Sequence, residues 1–361
     1  MVIPVPLQRI GKLGVVVLVM TGLVACETLG YYGQAARGQL GILWSRERIA
    51  RLLEDDSLSP ELQRKLQTVL DIRAFAGTEL HLDAGNSYLS YVELDREHVV
   101  WNVFAAPEFS VEPLNWCYPI AGCVSYRGYF NEGAALRFAG HLEQQGFDVY
   151  TGGVDAYSTL GWFDDPLLST VIQRPDYQLA GLLFHELAHQ RVYVPGDTTF
   201  NESFATLVEQ EGLRRWLDRQ GDSRSLQLAR LEAERSQQFV ELVIDYRERF
   251  ADLYRQELTA AEKRRRKAAL QKDLRAAYSE LRDSWGGNGA YDRWFGNSLN
   301  NAQLATVSAY NQLVPAFEQL LQGVNGNLED FYRQADRLAE MDQASRNRQL
   351  GLTEQADDPE P

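Results

Sequence analysis

The sequence of 361 residues is short of positive charge, and it also contains few cysteines and histidines. Its 36 lysines and arginines are outnumbered by 50 aspartates and glutamates, so the net charge is −14. An acidic surface of this kind repels nucleic-acid phosphates and anionic lipid head groups. We therefore expect neither nucleic-acid binding nor a polybasic membrane patch. Because 45% of the residues are hydrophobic, the chain can bury one large core or two modest ones.

An apolar run near the N-terminus is too short for a comfortable transmembrane helix. It extends from Leu13 to Val24 and follows a basic region that contains Arg9 and Lys12. A run of this length after basic residues is typical of the apolar region of a secretory signal peptide. The sequence therefore predicts an exported protein with a signal peptide over residues 1–25.

The end of that run carries a cysteine in a distinctive setting. Residues Leu23-Val24-Ala25-Cys26 resemble the lipobox of bacterial lipoproteins, in which the cysteine is lipidated and becomes the new N-terminus. The next residue is Glu27 and not the aspartate associated with retention in the inner membrane, so we expect a lipid anchor in the outer membrane, facing the periplasm. A plain secretory signal or a short N-terminal anchor is the alternative.

The remaining two cysteines, Cys117 and Cys123, are separated by five residues. An exported protein folds in an oxidising compartment, so we predict that they form a disulfide closing a small loop. The alternative is a pair of free buried thiols.

Hydrophobic periodicity and turn signals divide the rest of the chain into helices, a few strands and loops. Helices are predicted over 40–53, 60–76, 132–145, 176–192, 200–220 and 301–321, and a long helix or helical hairpin over 225–284. Strands are predicted over 98–105, 124–130, 147–151 and 155–163. Ser59 is the expected N-cap of the second helix, Pro315 is expected to kink the last helix, and Lys263–Lys267 is expected to be a solvated tip.

The segment HELAHQ, residues 185–190, carries the strongest chemical signal. Its two histidines, His185 and His189, are four residues apart and so share one face of a helix. Zinc suits two imidazoles on one face because it takes nitrogen ligands at about 2.0–2.1 Å. Glu186 turns towards the side of such a metal, where it can take a proton from an activated water. The alternative, a surface helix with two solvated histidines, conflicts with the neighbouring apolar residues.

A catalytic zinc needs a third protein ligand, and carboxylates follow in the segment FNESFATLVEQEG. Glu202 lies thirteen residues after His189, and Glu209 lies seven residues further along the same helical face. Asn201 is a candidate cap of that helix. The other histidines, His81, His98 and His141, have no partner at ligand spacing and are expected to be structural.

These helices together resemble the gluzincin peptidases, in which HExxH is followed by a helix with a glutamate opening an E-x-F-A segment. The longer pattern HELAHQRVYVPGDTTFNESFATLVE resembles a bacterial family of putative zinc aminopeptidases, many of them predicted lipoproteins. Three further segments, NWCYPIAGCVSYRGYF, STLGWFDDPLLST and NNAQLATVSAYNQLVPAFEQLL, share that resemblance. It extends from about Tyr31 to Leu321.

The resemblance implies roles for several residues. Glu202 would be the third zinc ligand, and Glu209 would hold a histidine N–H from outside the ligand set, unless it is an exposed helix carboxylate. Tyr193, one helical turn after His189, is a candidate for stabilising the oxyanion. Tyr310 and Asn301 are further candidates on the likeness alone. Each of these three residues could instead be a packed aromatic or a capping amide.

The expected fold is α+β and mainly helical. It has a zincin-like metallopeptidase core over 26–222, a helical region over 223–345 and a disordered tail over 346–361. Zinc peptidases of this type hold the substrate backbone against an edge strand. Residues 155–163 are the predicted strand, with Gly161 allowing close approach of the substrate.

The expected activity is hydrolysis of peptide bonds in periplasmic peptides, with zinc as cofactor. An aminopeptidase is implied by the resemblance, and an endopeptidase is an alternative. A lipid-anchored scaffold with a structural zinc, binding a protein partner through residues 225–284, is a second alternative. A chaperone-like hybrid of enzyme and scaffold is a third.

Overall fold

The computed structural model describes residues 30–118, 122–156, 158–159, 162–307 and 312–351. Its first helix, α1, covers residues 30–44. The other helices are α2 Ile49–Leu52, α3 Pro60–Glu79, α4 Glu132–Gln144, α5 Ser169–Ile172, α6 Asp176–Arg191, α7 Thr198–Gln220, α8 Ser223–Arg255, α9 Ala260–Ser284, α10 Asp292–Phe295, α11 Asn301–Ala305, α12 Val314–Gly323, α13 Leu328–Ala339 and α14 Gln343–Gln349. The strands are β1 Glu47–Arg48, β2 Ser90–Val92, β3 Val100–Pro107, β4 Trp116–Tyr118, β5 Gly122–Val124, β6 Arg127–Tyr129, β7 Phe147–Val154 and β8 Leu167–Leu168. The predicted α+β, mainly helical class is confirmed.

The strands form two small sheets and a hairpin. One sheet has the antiparallel order β6-β3-β7, with Val103 opposite both Arg127 and Thr151. The other has the order β1-β2-β8, in which β8 runs parallel to β2. Strands β4 and β5 pair so that Cys117 faces Cys123, and the predicted disulfide joins them. Within the described residues, no helix has both the length and the apolar character needed to cross a membrane.

Local capping signals explain where several helices begin. Ser59 Oγ accepts a hydrogen bond from the backbone N–H of Leu62, and Pro60 occupies the first turn of α3, as predicted. Asn131 caps α4 in the same way, through the N–H of Ala134. Both contacts span three residues, so these helix starts are encoded in the local sequence.

The larger core lies among α3, α6, α7, α12 and α13. At its centre are four phenylalanines from three helices, Phe200, Phe204, Phe317 and Phe331, all with no exposed surface. The rings of Phe204 and Phe331 stack at 5.7 Å between centroids, and Phe317 meets Phe204 edge-on. This core holds α6 and α7 side by side beneath the candidate site.

Helices α8 and α9 form a hairpin, called the helical arm below, as the sequence predicts. The arm and the residues that follow it share a second core, in which Phe239 stacks on Tyr291 at 4.0 Å and Tyr278 stacks on Phe295 at 3.9 Å. Its basic run is not simply a solvated tip, because Lys267 is buried and bonded to Asp148 of β7 at 2.5 Å. That contact ties the arm to the β6-β3-β7 sheet.

Three element predictions outside the candidate site were wrong. Residues 40–53 do not form one helix, because α1 ends at Trp44 and strand β1 intervenes before α2. Residues 301–321 do not form one kinked helix, because α11 ends at Ala305 and Pro315 occupies the first turn of a separate helix, α12, where its missing N–H is not needed. Residues 346–349, placed in a disordered tail, belong to α14, and the Arg346 side chain is buried.

Candidate active site

Helix α6 presents its two histidines towards α7. Leu179, Leu183 and Leu187 recur every four residues and are buried in the larger core, which fixes the rotation of the helix. His185 and His189 therefore project from a common side, with their ring centroids 4.9 Å apart. The two rings thus share one face of α6, as the four-residue spacing predicts.

Helix α7 brings the third candidate ligand to the same point. Glu202 Oε2 lies 3.3 Å from His185 Nε2 and 3.8 Å from His189 Nε2. Ligands at about 2.0–2.1 Å around a tetrahedral zinc are separated from each other by about 3.3–3.4 Å. Two nitrogens and one carboxylate oxygen, all within 4.8 Å of one another, thus fit a metal ion of this type.

Glu209 occupies the predicted place behind the first histidine. Its Oε2 lies 3.0 Å from His185 Nδ1. A carboxylate only accepts hydrogen bonds, so Nδ1 is the donor, and Nε2 on the other side of the ring faces Glu202. Gly181 makes room for this contact, since a Cβ there would lie 3.0 Å from Glu209 Oε1.

Glu186 is buried between the histidines and further acidic groups. Burial raises its pKa to about 7, with the positive charge of His185 opposing the shift and the negative charges of Glu202 and Asp165 adding to it. A carboxyl group with a pKa near 7 can both accept and release a proton at neutral pH. It lies beside the candidate metal ligands, where the sequence placed the base.

The three candidate ligands respond differently to their surroundings. Burial lowers the pKa of His189 to about 4, so its imidazole is neutral and free to bind a metal. Burial also acts to lower the pKa of His185, but hydrogen bonds with Glu202 and Glu209 outweigh it and the pKa ends well above its ordinary value. Burial opposes ionisation of Glu202, yet its contacts with both histidines lower its pKa. A metal at His185 Nε2 would compete with the proton held there.

The turn between α6 and α7 sets the distance between the ligands. The prediction that Asn201 caps α7 is wrong. Its side chain instead holds the turn, because Oδ1 accepts from the N–H of Val194 and Nδ2 donates to the C=O of Val194. The cap is Asp197, whose Oδ1 accepts from the N–H of Phe200. Its Oδ2 accepts two hydrogen bonds from the buried Arg346 of α14, at 2.6 and 3.0 Å.

The disulfide hairpin packs on the same turn. A Cβ at Gly122 would lie 2.6 Å from the backbone N of Gly196, so only glycine allows this approach. Gly122 and Gly196 both have positive φ angles, 74° and 84°. The predicted disulfide between Cys117 and Cys123 thus braces the segment that joins the two ligand helices.

Asp165 is a part of the site that the sequence prediction missed. Its buried carboxylate accepts hydrogen bonds from Thr159 and Ser158 and from Gln190, which follows His189 on α6. Burial raises its pKa, against the effect of these hydrogen bonds. The Asp164-Asp165-Pro166 turn signal was visible in the sequence, but nothing local connected it with Gln190.

Among the described residues of 155–163, which are 155–156, 158–159 and 162–163, the predicted edge strand is not formed. Strand β7 ends at Val154, and the described residues beyond it are held in turns, with Thr159 Oγ bonded to the backbone C=O of Phe163. The cause is the anchoring of this segment on Asp165 instead of on a neighbouring strand. Gly161 lies outside the described residues.

The predicted oxyanion candidates separate clearly. Tyr193 is half-buried, and burial together with the charge of Glu202 raises its pKa, so it lies within electrostatic reach of the site. Burial and, to a smaller extent, the negative charge of Glu202 also raise the pKa of Tyr126, a residue that the sequence did not point to. Tyr310 lies outside the described residues.

His98, expected to be structural, bonds Asp155 at 2.6 Å.

Asn301 is not part of the site, contrary to the prediction. Its Nδ2 donates to the C=O groups of Pro107 and Glu108, and its Oδ1 accepts from Tyr254 of the helical arm. These three bonds use the polar atoms of its side chain in joining α11, β3 and α8. An amide that caps and one that touches substrate look alike in sequence.

Comparison with known proteins adds one finding. A family model described as "Putative aminopeptidase" matches residues 30–350. No curated protein and no solved structure matches the chain. The matched range contains both ligand helices and the helical arm, so the likeness is not confined to the HELAHQ motif.

Proposed function

The chain belongs to the family described as putative aminopeptidases, and on that premise we propose that it is a zinc-dependent peptidase. The observation that carries the proposal is the convergence of His185, His189 and Glu202 on one point beside the buried Glu186. Two imidazoles and one carboxylate are a ligand set found in catalytic zinc sites with one open position. We also propose that the surrounding core is zincin-like.

The residues of the chain divide the chemistry between them. Zinc, when bound, would lower the pKa of a water to about 7 and polarise the peptide carbonyl. Glu186, buried beside the candidate ligands, accepts the proton released by the attacking water and returns it to the leaving amine nitrogen. Glu209 keeps the His185 ring oriented, and Tyr193 or Tyr126 supplies a donor to the developing oxyanion.

The family description favours an aminopeptidase over an endopeptidase. An aminopeptidase needs a group, commonly a carboxylate, to recognise the free α-amine of its substrate. Glu209 is bonded to His185 and Asp165 is bonded to its own loop and Gln190, so we assign amine recognition to neither. The preference between free and blocked N-termini is therefore the part of the proposal that the assay below decides.

The cellular setting is proposed from the sequence alone. Residues 1–25 would be removed as a signal peptide, and Cys26 would carry the lipid that anchors the enzyme to the outer membrane, facing the periplasm. The substrates would be periplasmic peptides. A protein partner could bind the helical arm.

A scaffold with a structural zinc is the competing proposal. Structural zinc sites are closed by four protein ligands. Within the described residues, the candidate group at this position has three, His185, His189 and Glu202. A buried Glu186 next to them has no purpose in a closed site, so we prefer the enzyme.

The decisive experiment compares wild type with Glu186→Gln and with Glu143→Gln, which alters an exposed carboxylate on α4. Zinc content is measured first, followed by hydrolysis of aminoacyl reporters and of N-terminally blocked peptides. We expect one zinc per chain in all three proteins, and a loss of about 10²–10⁴-fold in kcat/KM in Glu186→Gln alone. Zinc without hydrolysis in wild type would favour the scaffold, and absence of zinc binding would overturn the site assignment.

A further inference from the structure

Helix α1 is unusually poor in charge for a helix at the surface. Between residues 30 and 44 its single charged side chain is Arg37, although charged residues make up 24% of the chain. A helix that is apolar around most of its circumference is normally covered on more than one side. The described structure covers α1 on one side.

The covered side packs against the β6-β3-β7 sheet. Gln34 Nε2 donates to the C=O of Gly128, and its Oε1 accepts from the N–H of Phe130. Gly38 lies against the Phe130 ring, where any Cβ would collide, and Ile42 is buried. Positions 34, 38 and 42 thus form the inner face of α1.

The opposite side of α1 carries large apolar side chains in contact with solvent. Tyr32 is 43% exposed, Leu40 44% and Trp44 81%. These positions are offset by two residues from the inner face, which is about 200° around the helix. We call Tyr32, Leu40 and Trp44 the outer face of α1.

A second exposed aromatic segment lies next to the end of this helix. Trp162 is 65% exposed and Phe163 is 48% exposed. Arg46 joins the two places, since its Nε donates to the C=O of Leu43 in α1 and its Nη1 donates to the C=O of Asp164. Exposed tryptophan and phenylalanine side chains from two separate segments therefore flank one arginine.

The sequence before α1 identifies what covers this surface. Lipidation of Cys26 after removal of residues 1–25 is the expected processing of the apolar run Leu13–Val24, and a short anchor also keeps the chain on a membrane, whereas a plain secretory signal does not. Five residues separate that run from residue 30, a reach of at most about 18 Å. Either form of attachment brings the first turn of α1 close to lipid head groups. Indole and phenol rings are enriched at that depth of a bilayer.

We propose that the outer face of α1, with Trp162 and Phe163, lies on the surface of a phospholipid bilayer. The net charge of −14 disfavours an anionic surface, so the partner is a zwitterionic one. The contact is additional to any covalent lipid, and it orients the chain as well as attaching it. It does not depend on the proposed peptidase activity.

The test uses the full chain, produced in bacteria, extracted in detergent and reconstituted into phosphatidylcholine vesicles containing brominated lipid. Bromine quenches tryptophans that touch the acyl chains. The chain has seven tryptophans, and we expect the quenched part of the emission to fall in Trp44→Phe and in Trp162→Phe and to vanish in the double variant. Trp294→Phe, in α10, which packs against the helical arm, is the matched control and should leave the quenching unchanged.

A charge placed on the outer face separates this contact from simple anchoring. Leu40→Asp should reduce the quenching of Trp44 while the chain still floats with the vesicles, and Leu136→Asp, which alters an exposed leucine on α4, should not. Quenching that is absent in wild type, or that is insensitive to Trp44, Trp162 and Leu40, would overturn the proposal. The proposal would also be overturned if an unstructured peptide, added in the absence of vesicles, shifted the emission of Trp44, because a peptide would then be the occupant of this surface.

Discussion

The molecule contains two helix pairs that are built on opposite principles. Helices α6 and α7 carry buried polar groups, including Glu186, His189 and Ser203. The helical arm, α8 and α9, buries stacked aromatic rings, and among its described residues Lys267 is the buried charge. Both pairs are joined by short connections, so the difference lies in the side chains and not in the topology.

The comparison shows where each pair obtains its stability. Burying polar groups costs free energy unless every group finds a partner. The α6–α7 pair draws some of those partners from distant parts of the chain, such as Arg346 on Asp197, the N-cap of α7. The arm is stabilised mainly by apolar contact with the residues that follow it, such as Tyr291 and Phe295. The ligand pair should therefore be sensitive to remote substitutions, and the arm to local ones.

The largest expected effect is that of Arg346→Met. It leaves the Asp197 carboxylate buried without its charged partner, which typically costs about 3–5 kcal/mol of unfolding free energy. Because Asp197 caps the helix that carries Glu202, zinc affinity should fall as well. Urea unfolding and zinc titration measure the two effects.

The double variant Arg346→Met/Asp197→Asn is the control for that experiment. An asparagine can still cap α7 but carries no charge, so we expect part of the stability to return. Equal stability of wild type and Arg346→Met would show that the buried pair does not support the site, and the contrast between the helix pairs would fail.

Phe250→Ala tests the other side of the comparison. Phe250 is fully buried in the arm and packs near Tyr254, so its truncation should cost about 3–5 kcal/mol through lost apolar contact and a residual cavity. Zinc content per folded chain should be unchanged, because the arm core shares no residue with the ligand set. A loss of zinc that parallels the loss of stability would mean that the two pairs fold and bind as one unit.

The sequence predicted the parts of the site that depend on local periodicity. The four-residue spacing of His185 and His189 and the seven-residue spacing of Glu202 and Glu209 place side chains on one helical face whatever the tertiary structure. The N-cap Ser59 was predicted for the same reason, since its partner is three residues away. Contacts between residues a few positions apart can therefore be predicted without knowledge of the fold.

The parts that failed depend on contacts between distant residues. Arg346 meets Asp197 across 149 residues, and Asp165 meets Gln190 across 25. Asn301 was misplaced because its carbonyl partners are more than 190 residues away in β3 and just after it. No periodicity encodes such pairings, so the residues that brace the ligands could not be separated from ordinary polar side chains.

A smaller effect is expected when the partner of His185 is removed. Glu209→Ala should lower zinc affinity by about 10–100-fold, the usual consequence of losing a carboxylate that orients a ligating histidine. Glu209→Gln should lose less, because its Oε1 can still accept from Nδ1. Competition with a chelator of known affinity measures both.

The control lies in the arm. Glu241→Ala removes an exposed carboxylate of α8 that accepts from Gln237, and it should leave zinc affinity unchanged. If Glu209→Ala also leaves it unchanged, the hydrogen bond does not orient His185, and Glu209 is an ordinary helix carboxylate.

The smallest effect compares one ion pair from each helix pair. Asp176, in the first turn of α6, bonds Lys65 at 2.7 Å and also Arg64, whereas Asp245 of the arm forms an exposed i,i+4 pair with Arg249. Burial opposes ionisation of Asp176, but these hydrogen bonds lower its pKa. A carboxyl group with a lowered pKa stabilises the fold above its unfolded pKa, and that contribution is lost as the pH falls through the folded value.

At pH 7 we expect Asp176→Asn to cost about 1 kcal/mol and Asp245→Asn about 0.3–0.5 kcal/mol, since exposed pairs are screened by solvent. Urea unfolding measured from pH 7 down to about 2 checks the sign: the gap between wild type and Asp176→Asn should begin to close below the unfolded pKa of about 3.9 and disappear below the lower pKa of the folded state. A gap that persists in acid would show that the amide disturbs α6 sterically and that the charge of Asp176 does not stabilise it. Equal losses of unfolding free energy in the two variants would mean that the ion pair with the buried Lys65 stabilises α6 no more than an exposed pair stabilises the arm.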